Sequence, residues 1–312
     1  MITLIQLEYI IAVDTYRHFA KAAQKCFVTQ PTLSMQIKKL EEHLGITIFD
    51  RSRQPVMPTE IGKKIIEQSR IILRESEKIP QIINSFDSVV SGELKIGVIP
   101  TIGPYLFPEI INDFMKKYPA VSLHIKEMMP NQLHEELKKD LIDIGIIASS
   151  LKDEAFVYKS LFYEEIMIYV NQHYVKTKKE SITTQELDTS EMRVLSEGHS
   201  LREHAIRLCT YFKQSNSKVF FKYESGSLEA LVRMVDNEGG YTLLPELALK
   251  LIHSENKNKI LKFKNTTPLR EVMMVSNKHF GKSRLSDLLF KHIKHSLPKQ
   301  FLKKERGIVM KD

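Results

Sequence analysis

Residues 198–209 hold the side chains best suited to chemistry, and they read Gly-His-Ser-Leu-Arg-Glu-His-Ala-Ile-Arg-Leu-Cys. The segment begins like the Gly-x-Ser-x-Gly turn that exposes a catalytic serine, and Ser200 would then be the nucleophile. Arg202 stands where that turn needs its last glycine, and no histidine and aspartate partners can be assigned. A serine hydrolase using Ser200 is therefore a remote alternative, and we expect no enzyme.

The sequence offers no pattern for a metal or another cofactor. Its 11 histidines form no His-x-x-x-His pair and no grouping with cysteine at zinc spacing, and no glycine-rich phosphate loop occurs. Cys26 and Cys209 are the two cysteines, and they fall in different predicted domains. We therefore expect no intrachain bridge between them, and Cys26 is interpreted as buried packing.

An amphipathic helix is predicted after residue 29. Leu33, Ile37, Leu40 and Leu44 recur at the spacing of one helix face, which predicts a single buried stripe. Thr29 can cap the start of this helix, where a first-turn proline is tolerated, and Gly45 can end it.

The other faces of this helix are free to touch a partner. Small hydroxyl and amide groups at a helix start can reach base edges in DNA, whereas lysine and arginine suit phosphates. The predicted DNA-contacting residues are Gln30, Pro31, Thr32, Ser34, Lys38, Lys39, Arg51 and Arg53. A preceding helix is predicted to pack closely through Ala20, Ala22 and Ala23, with Phe19 and Phe27 as hydrophobic anchors.

A second long helix is predicted to begin after Thr59. Ile65, Ile72, Ile79 and a phenylalanine at position 86 follow a seven-residue spacing, which is typical of a helix that packs on a partner helix. We interpret this segment as a linker and dimerisation helix that kinks or ends at a proline at position 80. A homodimer would present two recognition helices to one face of DNA, so the operator would be roughly palindromic.

Strands and helices alternate after residue 91, which predicts α/β layers. Strands are predicted at 94–99, 121–125, 144–147, 220–223, 241–244 and 271–275, and helices at 106–118, 133–141, 228–235 and 285–293. A chain of 312 residues is long enough for about two domains.

The amino-terminal motifs resemble the winged helix-turn-helix of LysR-type transcriptional regulators. The matching stretches are Leu7-Glu8-Tyr9, Ala22-Ala23, Thr29-Gln30-Pro31-Thr32-Leu33-Ser34, Ile37-Lys38-Lys39-Leu40-Glu41, Leu44-Gly45, Phe49-Asp50-Arg51 and Thr59-Glu60-Ile61-Gly62. The resemblance implies a winged helix-turn-helix at 1–58, a linker helix at 59–90 and a periplasmic-binding-protein-like α/β domain of two subdomains. Its subdomains would be 91–163 with 268–300, and 164–267, with a tail at 301–312.

The segment at 198–209 resembles the redox loop of the hydrogen-peroxide sensors within this family. The resemblance implies that Ser200 stands at the peroxidatic cysteine position and that Cys209 is the resolving cysteine. It implies a peroxide pocket formed by Thr101, His199, Arg202 and Arg270. Pro130 departs from the pattern, because these sensors often have a pocket threonine there.

Ser200 cannot perform the thiol chemistry, because only a thiolate attacks peroxide to give a sulfenic acid and then a disulfide. The simplest hypothesis is an engineered Cys→Ser exchange that locks a regulator of oxidative-stress genes in its reduced-like state. The alternative is a LysR-type regulator with a natural serine and a non-redox small-molecule effector.

Composition sets the expected location and partners. No apolar run approaches the roughly 18 residues of a membrane span, and no export signal precedes the first helix, which argues against a secreted solute-binding protein. We expect a cytoplasmic protein that binds double-stranded DNA and contacts RNA polymerase. We also expect it to associate with itself as a dimer or as a tetramer of two dimers. Residues 1–62 carry seven basic and six acidic residues, so DNA affinity must depend on where the charges lie. The basic tail is predicted to be a solvated end.

Overall fold

The structure is a computed structural model that describes residues 1–80, 82, 89–148, 153–171, 180–210 and 226–310. The chain divides into two compact units: an amino-terminal unit, Met1–Ser88 with His279–Lys282, and a carboxy-terminal unit, Val89–Lys278 with Ser283–Asp312. Within the described ranges, no helix is long and apolar enough to cross a membrane. The predicted strand at 220–223 and the heptad position 86 lie outside the described residues.

The amino-terminal unit is a helix-turn-helix followed by a small β-hairpin. Its elements are α1 (Leu4–Tyr16), α2 (Phe19–Lys25), α3 (Gln30–Leu44), the antiparallel pair β1 (Phe49–Asp50) and β2 (Met57–Pro58), and α4 (Glu60–Ser76). The Thr29 side chain accepts a hydrogen bond from the Thr32 amide and caps α3, and Gly45 ends the helix in the left-handed region. Both predicted ends of α3 are therefore confirmed.

Packing in this unit follows the predicted stripe, with two exceptions. Leu33, Ile37 and Leu40 are buried in one core with α1 and α2, and Leu44 is partly buried against that core. Phe27, however, is 95 % exposed, so the prediction that it anchors the two helices is wrong. Its φ of 55° places it in the left-handed region, which turns the ring to solvent and leaves Val28 to pack inward.

The other exception is Ala20, which is exposed and does not take part in the close approach expected of it. Ala22 and Ala23 are buried as predicted. Phe19 is partly buried and meets the Phe49 ring edge-on, with the ring centroids 6.1 Å apart. The helix pair is thus held by Phe19 on the hairpin side and by the two alanines between the helices.

The linker helix begins as predicted and ends earlier than predicted. Thr59 caps α4 by accepting a hydrogen bond from the Gly62 amide. The helix ends at Ser76, and helical backbone occurs again at 78–80, so the break lies before the proline and not at it. Ile65 packs against the core of the unit, whereas Ile72 and Ile79 are exposed.

The carboxy-terminal unit is a mixed sheet with helices packed on it. Its strands are β3 (Gly92–Val98), β4 (Val121–Glu127), β5 (Ile144–Ile147), β6 (Phe156–Val170), β7 (Ser181–Ile182), β8 (Tyr241–Pro245), β9 (Ile260–Phe263), β10 (Pro268–Asn277) and β11 (Ile308–Val309). Its α-helices are α5 (Gly103–Lys117), α6 (Pro130–Lys138), α7 (Ser200–Thr210), α8 (Leu228–Glu238) and α9 (Ser283–Ser296). Short 3₁₀ helices occupy Thr184–Glu186, Thr189–Glu191, Glu246–Leu251, Ser254–Lys259, Lys299–Leu302 and Lys304–Arg306.

The strand order is β4-β3-β5-β10-β6-β9-β7, with β8 paired to β6 and β11 paired to β10. The long strands β6 and β10 run antiparallel to each other and belong to both halves of this sheet. The amino-terminal part of β6 lies beside the part of β10 that pairs with β5, and its carboxy-terminal part pairs with β8 and β9. The two halves are therefore joined by a pair of continuous strands.

Strands β6, β7 and β9 were absent from the sequence prediction. The carboxy-terminal part of β6 is buried on both faces, so it lacks the alternation by which a half-exposed strand is recognised. The other predicted strands and helices in the described ranges are confirmed, with ends that differ by a few residues.

The basic tail is not a solvated end, so that prediction is wrong. Strand β11 pairs in parallel with Pro268 and Leu269 of β10, and the Phe301 ring is buried. Arg306 donates hydrogen bonds to the Tyr163 carbonyl and to the Glu246 carboxylate. The buried Phe301 ring and the backbone pairing of β11 with β10 thus hold the tail on the sheet despite its charge.

Candidate DNA interface and regulatory site

Helix α3 presents accessible side chains between Gln30 and Lys39. Gln30, Pro31, Lys38 and Lys39 are exposed, and Ser34 is half-buried beside them. The Thr32 hydroxyl lies 2.8 Å from the Thr29 hydroxyl, so Thr32 belongs to the cap of the helix as well as to its accessible face. Amide, hydroxyl and ammonium groups therefore occur together on one helix surface, as base and phosphate contacts require.

Arg51 has a structural role that the sequence did not reveal. Its guanidinium donates to Glu41 at 3.0 Å and to the Ser34 hydroxyl at 3.3 Å, and it lies over the Phe19 ring at 5.0 Å from the centroid. Glu41 also accepts hydrogen bonds from the amides of the segment leading into β1. This network fixes the hairpin to α3, and Arg51 remains 40 % exposed, so part of its guanidinium can still meet a phosphate.

Arg53 lies on the exposed turn of the hairpin and pairs with Asp50 at 3.0 Å. Hydrogen bonds from the Ser52 hydroxyl and amide, together with Arg53, hold the pKa of Asp50 below its ordinary value. Asp50 is therefore ionised at neutral pH. An exposed pair of this kind is weak, so the arginine can exchange its carboxylate for a phosphate at little cost.

A buried polar cluster lies in the carboxy-terminal unit where β6 and β10 cross between the two halves. Arg270 is fully buried and donates from Nη1 to the Thr101 hydroxyl at 3.0 Å and from Nη2 to the Thr101 carbonyl at 2.8 Å. Its Nε donates to Glu164 at 2.7 Å. The structure thus brings together Thr101 and Arg270, which the resemblance had assigned to one pocket.

Glu164 was missed by sequence reasoning. It is fully buried, pairs with Arg270 across the β6–β10 register and accepts a hydrogen bond from the Leu247 amide at 3.1 Å. Burial raises the pKa of Glu164, and the adjacent guanidinium of Arg270 opposes that rise. An acidic residue opposite a buried arginine could have been found only if the strand register had been known.

His199 and Ser200 lie together at the start of α7. Both side chains are buried, and Gly198 before them has a φ of 90°, which a glycine adopts without strain. Burial lowers the pKa of His199, so its imidazole is neutral at neutral pH. The Ser200 hydroxyl is buried and has no hydrogen-bond partner among the residues that the structure describes.

Arg202 is half-buried and is held by the loop before α7. Its Nη1 donates to the Leu195 carbonyl at 2.7 Å, and its amide donates to the His199 carbonyl at 3.0 Å. Across the described residues, no hydrogen bond connects His199, Ser200 or Arg202 with Thr101 or Arg270. The structure therefore joins Thr101 with Arg270 by hydrogen bonds and leaves Arg202 bonded to the loop before α7.

Pro130 is the first residue of α6, next to Met129, which provides no side-chain cap for that helix. A side chain on Gly198 would meet the Met129 methyl group at 3.0 Å, so the start of α6 lies beside the turn that leads into α7. A proline is well suited to a first helical position, since its missing N–H would have had no partner within the helix there. Pro130 therefore serves α6 and supplies no hydroxyl to this region.

Cys209 lies on the same helix as Ser200. Nine residues of α-helix separate them, which is roughly 13 Å along the axis at 1.5 Å per residue. A disulfide needs Cα atoms about 4.4–6.8 Å apart, so these two positions cannot be bridged while α7 is intact. The side chain of Cys209 lies outside the described structure.

The remote hydrolase alternative gains no support from this geometry. Among the described residues no histidine accepts a hydrogen bond from the Ser200 hydroxyl. The described part of the chain also contains no group of three or more His, Cys, Asp or Glu residues placed to hold a metal ion. The described residues around Ser200 therefore do not form the hydrogen-bonded serine and histidine pair of a catalytic triad.

Comparison with known proteins identifies the family. The model of the bacterial regulatory helix-turn-helix protein, lysR family, matches residues 4–63, and the model of the LysR substrate binding domain matches residues 87–298. The chain belongs to the LysR family. It is therefore a DNA-binding transcriptional regulator, and its predicted fold class is confirmed.

Two curated LysR relatives show how far the similarity extends. The hydrogen peroxide-inducible genes activator of Haemophilus influenzae is 34 % identical over 86 % of this chain and 88 % of its own. The DNA-binding transcriptional dual regulator OxyR of Escherichia coli is 34 % identical over 78 % and 79 %. Among solved structures, full-length OxyR from Pseudomonas aeruginosa matches with a TM-score of 0.77 and 31 % identity, over 94 % of this chain and 98 % of that one. The LysR chain is thus similar to OxyR proteins in both units.

Proposed function

We propose that this LysR-family regulator controls oxidative-stress genes and that its hydrogen-peroxide switch is disabled by Ser200. The names of the relatives support peroxide as the signal. One relative is a hydrogen peroxide-inducible genes activator, and another is the regulator OxyR. In this proposal Ser200 replaces the peroxidatic cysteine, and Cys209 is the resolving cysteine.

One observation carries the proposal: Ser200 is only 8 % exposed, and its buried hydroxyl has no hydrogen-bond partner in the described structure. A buried hydroxyl without a hydrogen bond costs about 1–3 kcal/mol, whereas a thiol tolerates such a place because it is a weak donor and a small hydrophobe. The position therefore suits sulfur better than oxygen. That preference supports a cysteine in the functional form of this site.

The neighbours of Ser200 have defined parts in the proposed switch. A neutral His199 can donate or accept one hydrogen bond to peroxide, and Arg202 supplies positive charge that favours a thiolate at position 200. The thiolate sulfur would attack one peroxide oxygen, so the O–O bond breaks and leaves a sulfenic acid and a hydroxide, which takes up the proton that the thiol had released and becomes water. The Cys209 thiol would then displace the sulfenic oxygen as a second water, leaving a disulfide.

The same proposal requires a conformational change. Because positions 200 and 209 lie roughly 13 Å apart along α7, the disulfide can close only if the helix unwinds. The intact helix corresponds to the reduced-like state, and Ser200 holds the chain there. Unwinding α7 is the step by which oxidation would reach the rest of the carboxy-terminal unit.

We also propose that the active species is a homodimer, or a tetramer of two dimers, on a roughly palindromic operator, and that it contacts RNA polymerase. Ile72 and Ile79 are exposed apolar residues of the linker segment, where a partner helix would cover them. Two recognition helices would then lie on neighbouring turns of duplex DNA.

The test is the Ser200→Cys variant treated with mild peroxide. We expect it to lose two hydrogens in intact mass and two free thiols, while the unaltered chain keeps both cysteines reduced. The matched control is Ser286→Cys, since Ser286 is equally buried but bonded to the Ser283 carbonyl, and we expect no peroxide-driven disulfide there.

A second readout is thermal stability under reducing conditions. Ser200→Cys removes an unsatisfied hydroxyl and is expected to raise the free energy of unfolding by about 1 kcal/mol or more, whereas Ser286→Cys is expected to lower it. A Ser200→Cys protein that is unreactive towards peroxide would sink the redox proposal. Regulation by a non-redox small-molecule effector would then be the hypothesis to test.

A further inference from the structure

Phe27 is an aromatic residue whose ring lies outside the hydrophobic core. Its ring is 95 % exposed, and the core beside it is filled by Val28 and Phe19. A lone exposed apolar residue is common on protein surfaces, so exposure by itself carries no conclusion. The backbone at this position supplies the second observation.

Phe27 occupies the place in a helix ending where glycine is favoured. Its amide donates to the Gln24 carbonyl and the Val28 amide donates to the Ala23 carbonyl, which is the Schellman pattern that ends α2. The residue between these bonds must be left-handed, and the φ of Phe27 is 55°. Since a side chain with a Cβ is strained there, phenylalanine is unfavourable for folding as well as for solvation.

The neighbours of Phe27 in the chain belong to the helix-turn-helix. It is followed by Thr29, the cap of the recognition helix α3, and by the exposed Gln30 and Pro31. Lys25, two residues earlier, is exposed in the last turn of α2. Along the chain, Phe27 therefore stands between an exposed lysine at the end of α2 and the start of α3, which is the helix that a helix-turn-helix places in a DNA groove.

We propose that Phe27 is a DNA-contacting residue, and that its ring packs on the deoxyribose surface of the strand beside the recognition helix. The inference rests on the DNA-binding function of the family and names a contact within it. Duplex DNA suits this place because phosphates attract the neighbouring lysine, while the sugars between them are apolar. The folding cost of Phe27 is then offset only when DNA is bound.

The test compares Phe27→Gly with the unaltered full-length chain. The probe is a labelled duplex that the unaltered chain enriches from a random-sequence pool. Glycine relieves the left-handed backbone, so we expect Phe27→Gly to unfold at the same or a higher temperature. We expect its affinity for the probe to fall by roughly tenfold, or ~1.4 kcal/mol, and Phe27→Tyr, which keeps the ring, to bind like the unaltered chain.

Salt dependence separates a sugar contact from a phosphate contact. Lys39→Ala is expected to reduce the slope of log affinity against log salt by about one, because a lysine that neutralises a phosphate releases counterions. Phe27→Gly is expected to weaken binding at every salt concentration and to leave the slope unchanged. Leu302→Ala removes an exposed apolar side chain from the other unit and serves as the matched control, with no change in affinity.

Each opposing result is specific. Equal affinity of Phe27→Gly and the unaltered chain would overturn the inference and leave DNA binding intact. A lower unfolding temperature or an altered oligomeric state of Phe27→Gly without DNA would assign the ring to folding or self-association, which also overturns it. Failure of the unaltered chain to enrich any duplex would overturn both the Phe27 contact and the proposed regulatory function.

Discussion

The amino-terminal unit presents its candidate functional side chains to solvent, whereas the carboxy-terminal unit buries them. Gln30, Lys38 and Lys39 are exposed on α3, while Arg270 and His199 are enclosed by the sheet and its helices. Both units fold around ordinary hydrophobic cores. The difference in exposure follows from the kind of partner that each set of side chains would bind.

A DNA duplex is a large polyanion, so a protein can recognise it with side chains that remain hydrated until contact. A small signal molecule must be enclosed, because buried polar groups act on it more strongly in a medium of low dielectric constant. One consequence can be tested by substitution. Changes in the exposed set should alter binding and spare stability, whereas changes in the buried set should alter both.

The largest effect is expected from Arg270→Met. The substitution leaves the Glu164 carboxylate fully buried without its partner and removes both hydrogen bonds to Thr101. We expect the carboxy-terminal unit to lose about 3–5 kcal/mol of unfolding free energy, measured by urea denaturation. The control is the double variant Arg270→Met with Glu164→Leu, which removes both charges and should recover most of that loss. A single variant as stable as the unaltered chain would contradict the buried pair.

A smaller effect is expected from Thr29→Ala in the exposed unit. Loss of the cap on α3 should cost about 1 kcal/mol of stability, because the Thr32 amide loses its acceptor. Thr29→Ser keeps an accepting hydroxyl and should retain most of it. The measurement is the denaturation midpoint of the amino-terminal unit. No difference between the two variants would show that the cap is not needed there.

The buried set should also make stability depend on pH. Burial lowers the pKa of His199, and burial also lowers that of His134, so unfolding takes up protons when the pH is below the ordinary histidine value of about 6.5. The free energy of unfolding should therefore fall as pH decreases below that value. His199→Gln should flatten the decline in part, and adding His134→Gln should flatten it further. An unaltered pH profile in the double variant would exclude these two groups.

The smallest effect on stability is expected from Lys39→Ala. Lys39 is exposed, so the free energy of unfolding should change by no more than about 0.5 kcal/mol while DNA affinity falls. Lys291→Ala, on the exposed side of α9, is the matched control and should change neither quantity. If Lys39→Ala destabilised the chain without weakening DNA binding, the comparison between the two units would fail.

Local patterns predicted the amino-terminal unit well. Thr29, Gly45 and Thr59 mark helix ends through bonds within a few residues of each other, and the stripe of Leu33, Ile37 and Leu40 follows from helical period alone. The prediction was wrong at Phe27, because the left-handed turn that exposes its ring depends on how α2 ends. The carboxy-terminal strands with clear turns were found in the same way, and the long strand β6 was not.

The sequence alone determined the family motifs, the alternation of strands and helices, and the serine that follows Gly198 and His199, because these depend on residue type and short spacing. Only the tertiary structure decided that Glu164 faces Arg270, that the Ser200 hydroxyl is buried without a hydrogen-bond partner among the described residues, and that the tail pairs with β10. Those features depend on strand register and on burial between segments far apart in the chain. No local preference fixes them, since each is the result of packing the whole unit.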